Sequence, residues 1–128
     1  PDEVYERPAS AFVFDFLGRG NAIAGHFVAD GFTPAGAGRA FVWPLRSAGN
    51  GPGQVFVRPH DFAIHDDGAG LPGRIRNVHR LAGRVSLDVD VEGQRQPLDV
   101  ELRVVPDQAL PQVGQRIGLT PLRCHVLD

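Results

Sequence analysis

From residue 85 to 104 apolar and polar positions alternate almost one for one. Val85, Leu87, Val89 and Val91 alternate with Ser86, Asp88, Asp90 and Glu92, and Leu98, Val100, Leu102 and Val104 with Asp99, Glu101 and Arg103. A period of two over both arms predicts an antiparallel hairpin, with Gly93 in its connection, one buried face and one wet face. Elsewhere the apolar segments are short and bounded by Gly, Pro or Asp. They predict strands at Asn21 to Val28, Arg39 to Trp43, Val55 to Arg58, Phe62 to His65 and Arg74 to His79. Further strands are expected at Val85 to Val91, Leu98 to Val104, Gln115 to Leu119 and His125 to Leu127. So many short strands point to a mainly β chain, of barrel type.

Only the first eighteen residues depart from this pattern. Pro1, Asp2 and Glu3 suit a helix N-terminus, and Pro8 stops that helix at or before Arg7. Ser10 is a candidate N-cap for a second turn of helix, in which Phe12, Val13, Phe16 and Leu17 share a face and Gly18 supplies the stop. That face packs on this domain's own core or on a missing neighbour. The expected division is a helical linker over 1–18 and a β domain over 19–128.

Composition agrees. The 128 residues fit one core, and 16 Gly with 11 Pro suit many tight turns. The chain starts with Pro1 and has no Met, so it is expected to be a piece of a longer protein. Its single cysteine, Cys124, has no internal disulfide partner, and no signal peptide is recognisable, which places the expectation in a reducing cytosol. Apolar runs fall far short of the roughly 20 residues that span a bilayer.

All thirteen basic side chains are arginine, against fifteen acids, for a net charge of −2. That balance disfavours a general nucleic-acid binder, which must neutralise phosphates. The wet face of the 85–104 hairpin, with five carboxylates and one arginine, should repel oxyanions. Arg74, Arg76, His79, Arg80 and Arg84 make the one concentrated basic stretch, read either as a solvated strand edge or as a contact for an anion or acidic partner.

Catalytic patterns are not found. The three serines lack a Gly-x-Ser-x-Gly setting, Cys124 and His125 would lie on opposite faces of a strand, and the five histidines show no metal-ligand spacing, reading as scattered surface or loop positions. The glycine-rich stretches Pro34 to Arg39 and Gly49 to Gln54 have no Gly-Lys-Ser/Thr ending and read as hairpin turns. The segment Val57-Arg58-Pro59-His60-Asp61 is harder to read as scaffold. It sets a guanidinium and an imidazole at a strand end that Pro59 forces out of the ladder. Arg58 and His60 are the candidate site residues, either contacting an oxyanion or pinning the turn.

These residues also carry a resemblance. The opening Pro1-Asp2-Glu3-Val4-Tyr5-Glu6-Arg7-Pro8-Ala9-Ser10, with Phe12-Val13 and Phe16-Leu17-Gly18, resembles the stretch just past the nucleotide-binding domain in ATP-binding subunits of ABC importers. The Arg58-Pro59-His60-Asp61 segment is similar to an Arg-Pro motif of their regulatory domains, and Gly114-Gln115-Arg116-Ile117-Gly118-Leu119 to the closing strands of the sulfate/thiosulfate branch. The resemblance implies an OB-like, TOBE-type β-barrel at the C-terminus of such a subunit, serving regulation and dimerisation, with oxyanion or partner sensing as its candidate role. It further implies a parent that hydrolyses Mg-ATP, pairs with a second copy and with permease subunits, and sits at the inner face of the membrane. The chain itself is then not an enzyme and holds no cofactor, metal or nucleic acid. A free-standing OB-type nucleic-acid-binding module is the alternative. It would need exposed aromatic and basic residues on one face, whereas Trp43 and Tyr5 lie far apart in the chain.

Overall fold

The computed structural model describes residues 19–38, 41–45 and 49–127. These form ten strands in two curled antiparallel sheets. One sheet contains β1 (Asn21–Val28), β2 (Gly31–Pro34), β3 (Trp43–Pro44), β4 (Gly51–Val57) and β10 (His125–Leu127), in the order β10, β4, β1, β2, β3. The other contains β5 (Phe62–His65), β6 (Leu71–Leu81), β7 (Arg84–Asp90), β8 (Leu98–Arg103) and β9 (Arg116–Pro121), in the order β5, β9, β6, β7, β8. The mainly β, OB-like architecture expected from the sequence is the one observed. The helical turns expected over 1–18 lie outside the described residues.

Each sheet turns its apolar phase inward. On β1 the inward positions are Asn21, Ile23, Gly25 and Phe27, and on β7 and β8 Val85, Leu87, Val89, Leu98 and Val100 are all buried. Together with Phe32, Val55, Leu71, Ile75 and Leu119 they make one core shared by both sheets. An aromatic stack supports one end, with Phe27 to Phe32 ring centroids 5.0 Å apart and Phe32 to Trp43 6.3 Å apart. The Trp43 indole N–H donates to the Leu119 carbonyl at 3.1 Å, from the first sheet to the second.

A second junction between the sheets is made by carboxamides. Asn21 of β1 bonds the backbone of Asp99 on β8, and Gln94, in the β7–β8 connection, bonds both backbone groups of Ala24 and the carbonyl of Ala35. Beside them two turns meet backbone to backbone. Gly36 and Gly93 have φ of +91° and +89°, and a Cβ on either would collide with the other turn, at the Glu92 and Ala35 carbonyls. Only glycine meets both demands.

Several strand boundaries differ from expectation. β2 was not anticipated, because Gly31 and Pro34 read as loop; a two-residue turn pairs Val28 with Gly31 and completes the hairpin. The strand expected over Arg39 to Trp43 is confined to Trp43–Pro44 among the described residues. Phe41 instead closes a turn on Gly38 through its N–H and accepts from the Thr33 hydroxyl through its carbonyl. The glycine-rich 49–54 stretch is not all turn, since Gly51 to Gln54 pair with β1, Gly53 facing Gly25. Leu102 is only half-buried, because β8 ends there at the sheet margin.

Candidate functional site

Pro59 ends β4, as the sequence implied, and the chain turns at once, the Asp61 N–H bonding the Arg58 carbonyl at 3.0 Å. The turn is clipped to neighbours on two sides: Glu101 N–H donates to the Pro59 carbonyl at 2.8 Å and Leu122 N–H to the Asp61 carbonyl at 2.7 Å. A rigid turn thus carries both candidate residues, yet they do different things. Arg58 Nη1 lies 2.9 Å from His125 Nε2. A guanidinium only donates, so His125 accepts at Nε2 and carries its proton on Nδ1. His125 is buried, with its ring 6.2 Å from that of Phe56, which corrects the reading of all five histidines as surface positions. His60 is 64% exposed, 3.7 Å from an Asp61 carboxylate oxygen. It lines an open cleft of about 570 Å³ with Arg84, Arg103 and Glu101. The structure does not bring Arg58 and His60 onto one ligand position. His125 was missed because 67 residues separate it from Arg58; the signal available was the pairing of two predicted strands.

The wet hairpin face is not a bare field of carboxylates. Asp99 and Asp88 stand opposite each other in the β7–β8 register, and each has a partner: Arg19 Nε at 2.7 Å from Asp99, His79 Nε2 at 3.3 Å from Asp88. Arg84 lies 2.9 Å from Glu101 and Arg76 3.1 Å from Asp90. The Asp99 carboxylate, by hydrogen bond and then by charge, raises the pKa of the Arg19 guanidinium. Three members of the basic 74–84 stretch are therefore spent within their own sheet. That corrects the expectation of a repulsive acidic face, while the three side chains stay more than half exposed, as the reading of the stretch as a solvated strand edge has it.

Cys124 is buried against the core, and burial pushes its thiol up to about 12. Among the described residues no group of three His, Cys, Asp or Glu is placed to hold a metal ion, and no helix is long and apolar enough to cross a membrane.

Residues 65–122 match the family described as the TOBE-like domain. The TOBE-like match thus covers rather less than half of the chain. That domain spans β6 to β9 with their connections, which include the ion-paired face, the second sheet's half of the core and the Trp43 acceptor. Relatives are similar over nearly the whole chain. The sulfate/thiosulfate import ATP-binding protein CysA 1 of Chromobacterium violaceum is 40% identical over 123 residues, covering 93% of this chain and 34% of that protein. A protein of the same name from Rhizobium meliloti is 34% identical, covering 96% and 35%, and the CysA of Rhodopseudomonas palustris is 33% identical, covering 98% and 36%. The chain thus spans about a third of the length of the curated relatives it matches.

Proposed function

We propose that this chain is the C-terminal regulatory and dimerisation domain of the ATP-hydrolysing subunit of a sulfate/thiosulfate ABC importer, working at the inner face of the membrane beside permease subunits. The observation that carries the proposal is the 40% identity to an ATP-binding import protein across 93% of this chain and only 34% of that protein. Within this reading the 58–61 turn is the sensing element. His60 and Arg103 offer donors to an oxyanion in the cleft beside them, and Arg58 supports the turn from beneath through His125. With Glu101 held by Arg84, the charge left among the residues lining that cleft is the Arg103 guanidinium, which favours an anion.

The reading is tested by exchange. The chain replaces the matching segment of the Chromobacterium violaceum protein, in a strain lacking its own importer ATPase and supplied with sulfate as its only sulfur source. Growth and sulfate uptake should return to within a few-fold of the parent level. A chimera that folds and hydrolyses ATP but neither joins the permease nor supports uptake would overturn the reading. The nucleic-acid-binding alternative has no support from Trp43, which is 1% exposed and hydrogen-bonded inside the barrel.

A further inference from the structure

The outer face of the second sheet holds another cleft, of about 450 Å³, over β6 and β9. That is within the roughly 300–1,000 Å³ of small-molecule sites. Its floor is a pair of like charges, because Arg74 and Arg116 stand directly opposite each other in the β6–β9 register and both line the cleft. Opposed like charges weaken a sheet. Among the described residues neither guanidinium has an ion pair, whereas Arg19, Arg76 and Arg84 all do.

The walls have the opposite sign. Asp66 comes from the loop that precedes β6, and Asp90 and Glu92 from the end of β7. The loop wall is held close, since a Cβ on Gly118 would collide with the Ala69 carbonyl, and Gly68 and Gly70 adopt φ of +91° and +81°. Asp90 is already engaged by Arg76 at 3.1 Å. What is left is two unpaired guanidinium groups against Asp66 and Glu92, with no net charge. A simple anion would lose to these carboxylates much of what it gained from the arginines. A molecule carrying both signs would satisfy both sides.

We propose that this cleft binds a small zwitterion of the α-amino acid class, its carboxylate on Arg74 and Arg116 and its ammonium group toward Glu92 and Asp66. The Arg74–Arg116 pair gives the bidentate geometry that guanidinium offers a carboxylate, and bound carboxylate relieves the repulsion across the two strands. The inference is independent of the transporter reading, because it rests on this cleft alone and is read by binding rather than by transport.

The test is calorimetric titration of the full chain with glycine, serine and methionine, and with sodium acetate, methylammonium chloride and sodium sulfate at matched ionic strength. Saturable binding that Arg116→Ala weakens is expected for at least one amino acid and for none of the three salts, sulfate bound at the His60–Arg103 cleft being indifferent to that substitution. Arg116→Ala should weaken it by about tenfold or more, as loss of a charge-assisted contact does. Glu92→Gln should weaken it as well, and it guards against a variant that merely fails to fold. Binding of sulfate or acetate that depends on Arg116 and is as tight as that of the amino acids would overturn the proposal, as would flat titrations with all three amino acids, or amino-acid binding that neither variant alters.

Discussion

The side chain of Asn21 pairs with the backbone of Asp99 in both directions: Nδ2 donates to the Asp99 carbonyl at 2.9 Å and Oδ1 accepts from its N–H at 2.7 Å. The same Nδ2 donates to the Val57 carbonyl at 3.1 Å. A carboxamide here does the work of a neighbouring strand, closing the exposed edge of β8 against β1.

Replacing Asn21 by Ala takes this partner from three backbone groups, one buried and two part-buried, and each group left unsatisfied costs about 1–3 kcal/mol before relaxation and water entry. A net loss of roughly 2–3 kcal/mol is expected in urea denaturation followed by far-UV circular dichroism. Asn21→Asp, with no N–H to donate, should be at least as damaging. If either variant matched the parent, Asn21 would not be the closing residue.

Arg58 and His60 should separate experimentally. Arg58→Ala removes the donor to buried His125 and should lower stability by about 1–3 kcal/mol. Sulfate should raise the melting temperature more than chloride at matched ionic strength, because a ligand of the folded state alone adds stability with its concentration. His60→Ala and Arg103→Ala should abolish that difference with little effect on the melting temperature in chloride. Equal shifts from the two salts would remove the sensing role and leave the turn as scaffold.

The two faces of the β7–β8 hairpin should respond unequally. Val89→Ala or Val100→Ala deletes fully buried methyl groups and should cost on the order of 1–3 kcal/mol through lost transfer energy and a residual cavity. Asp90→Asn touches an exposed ion pair with Arg76 and should change stability by less than about 1 kcal/mol. Comparable losses from both would mean that the face assignment is wrong.

Cys124 supplies a pH dependence whose sign follows from burial. Its folded thiol titrates near 12, above the roughly 8.5 of a free thiol. The folded state therefore holds its proton where the unfolded state has released it, and stability falls as pH rises through that interval. It is fully present below the unfolded value. Cys124→Ala should flatten the alkaline limb of the stability profile. Iodoacetamide should leave the native thiol unmodified at neutral pH and label it in urea. Rapid native labelling would show that Cys124 is accessible.

Strict alternation made the 85–104 hairpin legible, because period two is a property of neighbours in the chain and needs no tertiary information. The limits of β1, β5 and β10 were readable for a related reason, being bounded by residues that stop a ladder. What escaped was set by distance. Nothing near Arg58 announces His125, and nothing near Asp99 announces Asn21, although a polar residue in the inward phase shared by Ile23 and Phe27 was a signal that it had a buried partner. β2 and the first half of β4 were hidden by glycine and proline, which mark turns in isolation but here lie in strands. The charge pattern misled for the same reason. Acids on β7 and β8 and bases on β6 are separate runs in sequence, and become ion pairs only when the sheet lays the strands side by side.

The hydrogen bond from Trp43 to Leu119 gives the domain a built-in optical reporter. The chain has one tryptophan, 1% exposed, and its indole donor comes from one sheet while the acceptor belongs to the other. Its emission is therefore a single-site signal of whether the two halves are together, with no second indole to blur it. An opening that parted the sheets while leaving each one's own strand pairing intact would redden the emission and hardly disturb the backbone circular dichroism. Comparing the two signals through a melt shows whether the barrel comes apart in one event or unclasps first.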